Sequence, residues 1–420
     1  MRVIRILVVA ALVLALAPLA GQQAASANSY PGLVEESWSR TDSGNTYTLT
    51  ARIAIERITD WTVGRFRLRL SCTRNGAPNG CDFLFGGTAN AYWCSGASSP
   101  TNCVTRVLDA RQDSPEEVWV GTWHALEPGT AYQVKVVDFR VKFNNGSGPD
   151  GVFHSISSGI HRTPAVPPRA DSRSEPVFLV HGFDPSAGGG GWNCGGYWGS
   201  AMSALRAQGM TGTFVTYGYY ATDSSCTIEY PGTRDTSIWT LGQDLAWQIY
   251  LGYSRNGQSV DVLAHSMGGL VIRAALTGVS RGESGFPPYI YVEDVATLST
   301  PHLGAGFARL CSPLQCQEMR PGSALLGRLA ANPQSRQGTD WSLFGAGDDN
   351  IVDEGSATGI SAGHKVKYRG EQGVEHDRIH QLLSGPKVAD HWHHHDPVWR
   401  VGTFEQPVIT TNALAYWSRW

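Results

Sequence analysis

The sequence predicts a doubly wound, mainly parallel α/β sheet preceded by an all-β, sandwich-like region. Three observations carry that expectation. Apolar and polar residues alternate through the first third of the chain, a Pro-rich break follows at 163–172, and short apolar runs then recur between stretches of helical periodicity. In residues 46–55, Tyr47, Leu49, Ala51, Ile53 and Ile55 share one face while Thr46, Thr48, Thr50 and Arg52 share the other. Residues 65–70 repeat the pattern, as strands of an antiparallel sheet with one buried face do. The break, with Pro164, Pro167 and Pro168, reads as a semi-rigid linker. Beyond it, 177–180, 214–217 and 260–264 read as buried strands, and Ile238, Leu241, Leu245 and Ile249 share one face of a helix starting near Asp235. Further strands are expected at 292–299, 341–345 and 365–369. The boundaries that follow are 28–162 for the β region, 163–174 for the linker and 175–420 for the α/β region.

Composition narrows the function classes. The 420 residues exceed what a single core usually carries, and 41% hydrophobic with 16% charged residues is too apolar for disorder. With 33 basic against 36 acidic residues, a net charge of −3 offers no excess for holding phosphates, so nucleic acid is not an expected partner. At the amino end, Arg2 and Arg5 precede an apolar run from Ile6 to Ala20 and then Ala25-Ser26-Ala27, the order of a secretory signal spanning 1–27 with cleavage after Ala27. The run is shorter than a spanning helix needs, and no later stretch could span a bilayer, so export is expected. Export makes the cysteines readable as disulfides. Close spacing favours Cys72 with Cys81, Cys94 with Cys103 and Cys311 with Cys316, leaving Cys194 with Cys226, although spacing alone leaves the connectivity open. Zinc ligation is disfavoured because no CxxC pair occurs. The cluster from Asp390 to Asp396, with His391, His393, His394 and His395, reads as a solvated loop rather than a metal site, since adjacent histidines rarely converge on one ion.

Chemistry concentrates after the third buried strand. Ala264-His265-Ser266-Met267-Gly268-Gly269 joins that strand to the helical pattern of 270–276, which is a nucleophile elbow with Ala at the first small position. A sharp strand-to-helix turn exposes the Ser266 hydroxyl and puts the Met267 N–H at a helix N-terminus, where it can hold an oxyanion. Val180-His181-Gly182-Phe183 ends the first α/β strand, and Gly182 allows the close approach that would make Phe183 N–H the second donor. The remaining partners should follow in the order acid, then histidine. Asp348, Asp349 and Asp353 lie just past the strand at 341–345, where a triad acid belongs. His376 lies in a loop after the strand at 365–369 and ahead of a helical pattern at 379–383, a better place than that of His364 or His380. The set needs no cofactor and no metal. The loop at 187–198, with Trp192 and Trp198, is read either as the lining of an acyl pocket or as an ordinary loop pinned by Cys194.

With these residues in view, 175–383 resembles the secreted bacterial lipases of the α/β-hydrolase superfamily, in the pattern of the small lipases whose elbow reads AHSMGG. Asp349-Asn350-Ile351-Val352 is similar to the Asp-x-Ile-Val segment of bacterial lipases, which implies Asp349 as the triad acid and leaves Asp348 and Asp353 as turn or cap residues. Thr300-Pro301-His302 resembles their ThrProHis turn, and 319–323 is similar to a segment of actinobacterial lipases. The resemblance implies an α/β-hydrolase fold and hydrolysis of lipid esters, acylglycerols first, at a lipid–water interface. The same triad would also serve a phospholipase, a polyester hydrolase or an acyltransferase, and a hydrolase-fold binding protein without turnover is the non-enzymatic alternative. The resemblance leaves out 28–165 and the end beyond Pro386. Within the β region, Leu126-Glu127-Pro128-Gly129-Thr130-Ala131-Tyr132 and the strand pattern that continues to Val136 resemble the part of fibronectin type III-like modules that carries the tyrosine corner.

Overall fold

The computed structural model describes residues 28–58, 63–84, 91–113, 116–143, 153–186, 191–382 and 385–417. The expected signal at 1–27 lies outside them. Residues 28–162 form two antiparallel sheets. Asn45–Ile58 and Val63–Arg74 pair over their length, and Tyr47, Leu49, Ala51, Ile53 and Ile55 all face inward, onto Phe66, Leu68, Leu70, Val134 and Val136. The outer face of the same strands carries charge, where Arg65 and Arg67 grip the buried Glu56 at 2.7 and 3.0 Å. In the tyrosine-corner stretch, the Glu127 N–H donates to Tyr132 Oη at 2.6 Å.

A nine-stranded mixed sheet organises the rest. Its strands are β1 (Val177–Val180), β2 (Phe214–Gly218), β3 (Ile228–Glu229), β4 (Val260–His265), β5 (Val292–Leu298), β6 (Asp340–Ala346), β7 (His364–Tyr368), β8 (Lys387–His393) and β9 (Asp396–Phe404). The order is β3-β2-β1-β4-β5-β6-β7-β8-β9, parallel through β7 and antiparallel at the last two. Helices α1 (Cys194–Ala207), α2 (Ile238–Gly252), α3 (Met267–Ser280) and α4 (Pro407–Trp417) flank it. One apolar layer joins α2 and α3 to Phe178, Val180, Val262 and Val295, and a second joins α1 and α4 to Val177, Leu179, Phe344 and Tyr368. Because both faces of the central strands are covered, β4 and β5 are buried at every position, and their sequences read as runs rather than alternations.

Three expectations change. Residues 390–396 are not a loop: Asp390 to His393 belong to β8, and the turn that follows leads into β9, with His391 paired to Arg400. The expected helix at 379–383 is a set of single turns, in which Ile379 N–H reaches the Glu375 carbonyl at 2.9 Å and Leu382 N–H the Arg378 carbonyl at 3.0 Å; Leu383 lies outside the described residues. Trp198 belongs to α1 and is fully buried, so it lines no pocket, while Trp192 stays partly buried between both apolar layers. Disulfides join Cys94 to Cys103, Cys194 to Cys226 and Cys311 to Cys316. The side chain of Cys81 lies outside the described residues. Among the described residues no helix is long and apolar enough to cross a membrane.

Candidate active site

β4 runs straight into Ser266 and then α3, and the turn between them fixes the backbone tightly. Ser266 sits at φ 53°, ψ −128°, a conformation that residues with a side chain rarely adopt. Its N–H donates to the Leu298 carbonyl at 2.9 Å, and its own carbonyl accepts from Thr300 Oγ1 at 2.9 Å and Gly269 N–H at 3.1 Å. The small neighbours are a steric requirement: a Cβ at Gly268 would lie 2.3 Å from the Val180 carbonyl oxygen, and one at Gly269 would lie 2.1 Å from Thr300 Oγ1. The loop after β1 closes on the same spot, since a Cβ at Gly182 would lie 2.9 Å from Ser266 Cβ. Gly182, just before Phe183, therefore approaches Ser266 from the loop after β1, and Met267 follows Ser266 as the first residue of α3.

The loops after β6 and β7 bring the other expected residues to Ser266. The Ser266 hydroxyl donates to His376 Nε2 at 2.9 Å, and His376 Nδ1–H donates to Asp349 Oδ2 at 2.8 Å. The Asp349 side chain is wholly buried, and its Oδ1 accepts from the Ile351 and Val352 N–H groups at 2.9 and 2.8 Å. Burial opposes its ionisation, but the hydrogen bond and charge of His376, the Val352 N–H and the Ser299 hydroxyl outweigh that and hold the carboxyl below the usual carboxylate range. The structure thus brings Ser266, His376 and Asp349 into one hydrogen-bonded chain, with Met267 next to Ser266 in the sequence.

The neighbouring carboxylates do other work. Asp348 is half-buried, and its two oxygens accept from the N–H groups of Glu371, Gln372, Gly373 and Val374 at 2.6 to 3.3 Å, gripping the turn that leads to His376. Those bonds outweigh its slight burial and keep it ionised to lower pH than usual. Asp353 caps a short helix, accepting from Gly355 and Ser356 N–H at 2.8 and 3.3 Å. Among the other histidines, His364 pairs with Asp340 at 3.2 Å and His302 meets Thr297 Oγ1 at 3.1 Å, both away from Ser266.

His265 was not singled out by the sequence, yet it holds the base. Its Nε2–H donates to the His376 carbonyl at 2.8 Å, and its Nδ1 accepts from the Tyr197 hydroxyl, which in turn accepts the Gly182 N–H at 3.1 Å. Burial first, then His380 and His376, drive its pKa well below the usual value, so the ring stays neutral and keeps one donor and one acceptor. His380 stacks on it at 4.5 Å, and burial and then His376 push that ring down to about 3. Tyr197 stands 68 positions before His265, so no local pattern connects them.

Residues 177–315 match the family described as "Putative serine esterase (DUF676)". The match spans β1, the elbow and α3 and therefore includes Phe183, Ser266 and Met267 but neither Asp349 nor His376. No curated protein matches. Among solved structures, the chain is similar to phospholipase PlaB from Legionella pneumophila in complex with thio-NAD, at 13% identity and TM-score 0.31, covering 44% of each chain. It is similar to mature lipase BlEst2 from Bacillus licheniformis at 17% identity and TM-score 0.28, over 45% of this chain and 81% of that one. It is also similar to the esterase domain of a Rhodothermus marinus protein at 16% identity and TM-score 0.29, over 58% of this chain and 90% of that one. The chain thus spans under half the length of the phospholipase. The family match over the elbow supports a serine carboxylic-ester hydrolase.

Proposed function

We propose that the chain is a secreted serine carboxylic-ester hydrolase, a lipase that cleaves acylglycerols or related lipid esters through an acyl-enzyme on Ser266. The observation that carries the proposal is the His376 ring, bridging the Ser266 hydroxyl at 2.9 Å and the Asp349 carboxylate at 2.8 Å. Ser266 Oγ attacks the ester carbonyl carbon while His376 Nε2 takes its proton, and the carbonyl electron pair moves to oxygen. Asp349 holds the Nδ1–H tautomer and balances the imidazolium, and the Phe183 and Met267 N–H groups hold the oxyanion. On collapse the alcohol leaves with the proton from His376, and water repeats the attack on the acyl-enzyme.

Support for an apolar acyl group comes from the carboxyl end of the sheet, where Leu303 and Leu310 are exposed on the segment after β5 and Phe183 is half-buried. Support for export comes from disulfides in both parts of the chain, with no free cysteine among the described residues, and from the signal-like pattern at 1–27. In this reading residues 28–162 are a sandwich-like, fibronectin type III-like accessory unit, 163–174 the linker and 175–420 the catalytic unit. The test is hydrolysis of butyryl and palmitoyl p-nitrophenyl esters by residues 28–420, beside Ser266→Ala. Activity on the long ester that falls by about 10⁴-fold or more in the variant supports a lipase. Activity on the butyryl ester alone rejects the lipid substrate, and full activity of Ser266→Ala rejects the mechanism.

A further inference from the structure

Hydrogen bonds hold the backbone on both sides of Gly182. The Gly182 carbonyl oxygen accepts from His181 Nδ1–H at 2.8 Å and shares the Tyr219 hydroxyl, at 2.9 Å, with the His181 carbonyl oxygen at 2.6 Å, while in the preceding peptide the Gly182 N–H donates to Tyr197 Oη at 3.1 Å. In a trans peptide the C=O and the following N–H point in opposite directions. Donors on the Gly182 oxygen therefore turn the Phe183 N–H away from His181 and Tyr219, and Gly182 itself packs against Ser266. A flip of this peptide would break both bonds and bury a carbonyl oxygen where an oxyanion must form.

The donors are themselves anchored. His181 is fully buried, and its Nε2–H donates to Asp223 Oδ2 at 2.9 Å. Both ring nitrogens thus face acceptors, the Gly182 carbonyl on one side and the Asp223 carboxylate on the other. The Asp223 side chain is buried too, and besides His181 it takes the N–H groups of Tyr219 at 2.8 Å, Tyr220 at 2.9 Å and Trp192 at 2.6 Å. Burial opposes its ionisation, but His181 and those N–H groups hold it below the usual carboxylate range. The Tyr219 ring stacks on His181 at 4.1 Å, so one carboxylate fixes both donors that fix one carbonyl.

We propose that His181, Tyr219 and Asp223 form a clamp that pre-sets the oxyanion hole by locking the Gly182–Phe183 peptide with its N–H facing the reacting carbonyl. They are positioning residues, acting through the backbone and touching no substrate. The inference rests on the serine-esterase reading above. Removing a donor from the clamp should cost transition-state stabilisation while leaving ester binding and the Ser266–His376–Asp349 chain in place.

The test is Tyr219→Phe, which keeps the ring stack and removes one donor, with His181→Asn as a second variant. A p-nitrophenyl ester and its thionoester are compared, because sulfur is a weak acceptor and gains little from N–H donors. The clamp predicts that kcat on the ester falls about tenfold with KM within twofold, that the thionoester rate changes less than twofold, and that the pH profile keeps its shape. Equal loss on both substrates in either variant, or no loss in both, overturns it. Ser266→Ala in the same assay separates the two claims: activity there defeats the serine reading, while an inactive Ser266→Ala beside an unaffected Tyr219→Phe defeats the clamp alone.

Discussion

The two halves of the site are held in different ways. The elbow half, from β1 to α3, is fixed by backbone pressed against backbone: Gly182 against Ser266, Gly268 against the carbonyls of Val180 and His181, and Gly269 against Thr300. The acid and base half hangs from loops after β6 and β7, fixed by side chains that grip backbone N–H groups, four of them on Asp348 and two on Asp349. The first kind of contact is a matter of shape and requires small residues in sequence order. The second is a matter of charge and can be built from residues far apart. A shape-fixed half should fail by unfolding and a charge-fixed half by losing rate.

The largest effect is expected at Asp349. Asp349→Asn keeps the volume but offers His376 Nδ1 an amide in place of a carboxylate, which favours the wrong tautomer and leaves the imidazolium unbalanced. A fall in kcat of about 10⁴-fold is expected with the melting temperature nearly unchanged. A fall below tenfold would show that Asp349 does not orient the base. Gly268→Ala should do the reverse. Its Cβ would lie 2.3 Å from the Val180 oxygen, a contact with backbone on a buried strand that cannot swing aside. A stability loss of about 3 kcal/mol in denaturant unfolding is expected. An unchanged midpoint would mean that the elbow is not fixed by shape.

This contrast also sets what the sequence could reveal. The elbow was readable because its requirements are local: an apolar run, small residues at Ala264 and Gly268, then helical periodicity. β4 and β5 were readable because burial on both faces leaves a run with no polar interruption except short side chains and paired acids. The acid and base were approachable through chain order and strand ends, and only the resemblance of Asp349-Asn350-Ile351-Val352 to a lipase segment separated Asp349 from Asp348, an adjacent residue with the same charge. Their partners decide between them: the 371–374 turn for one and His376 for the other. The strand β8 was missed for a related reason. Its inward positions carry Ala389 and His391 and its outward ones Val388, Asp390 and Trp392, so the alternation that marks a strand is blurred on an edge that β9 then covers. Trp198 was misplaced because glycines at 195, 196 and 199 weaken the helical signal of α1, whereas Asn193 supplies its cap, accepting from the Gly196 N–H at 2.8 Å.

Asp348 sharpens the contrast at a smaller scale. Asp348→Ala removes the acceptor for four N–H groups of an exposed turn, where water can replace it, so the fold should survive. His376 would lose its support from below but keep His265 and Asp349, and a fall in kcat of about 10-fold to 100-fold is expected, with faster proteolysis near residue 372 as the structural readout. Unchanged kcat with faster cleavage would show that the turn does not position the base.

The smallest effect is expected at the opposite end of the sheet, where charge is buried without serving the site. Glu175 precedes β1, Asp261 is near the start of β4, and Glu293 and Asp294 are near the start of β5, all beside the linker segment that brings Arg169 to Asp294 at 3.1 Å and the Ala170 and Asp171 N–H groups to Glu293 at 2.8 and 3.0 Å. Burial, then the charge of Glu293, pushes the Glu175 carboxyl from its ordinary 4.5 up to about 7, and burial and neighbouring carboxylates raise Asp261 as well. A raised carboxyl is held protonated by the fold, so its stabilisation is complete below about 4.5 and is lost as the pH climbs through about 7. The melting temperature should therefore decline between pH 5 and pH 8, and Glu175→Gln, which mimics the protonated form, should flatten that decline without altering kcat at any pH. A variant with the parent's slope would remove Glu175 from the account. A variant with an altered kcat profile would break the larger claim, because it would mean that charge at the amino ends of the strands reaches the catalytic end through a sheet whose central strands are packed on both faces.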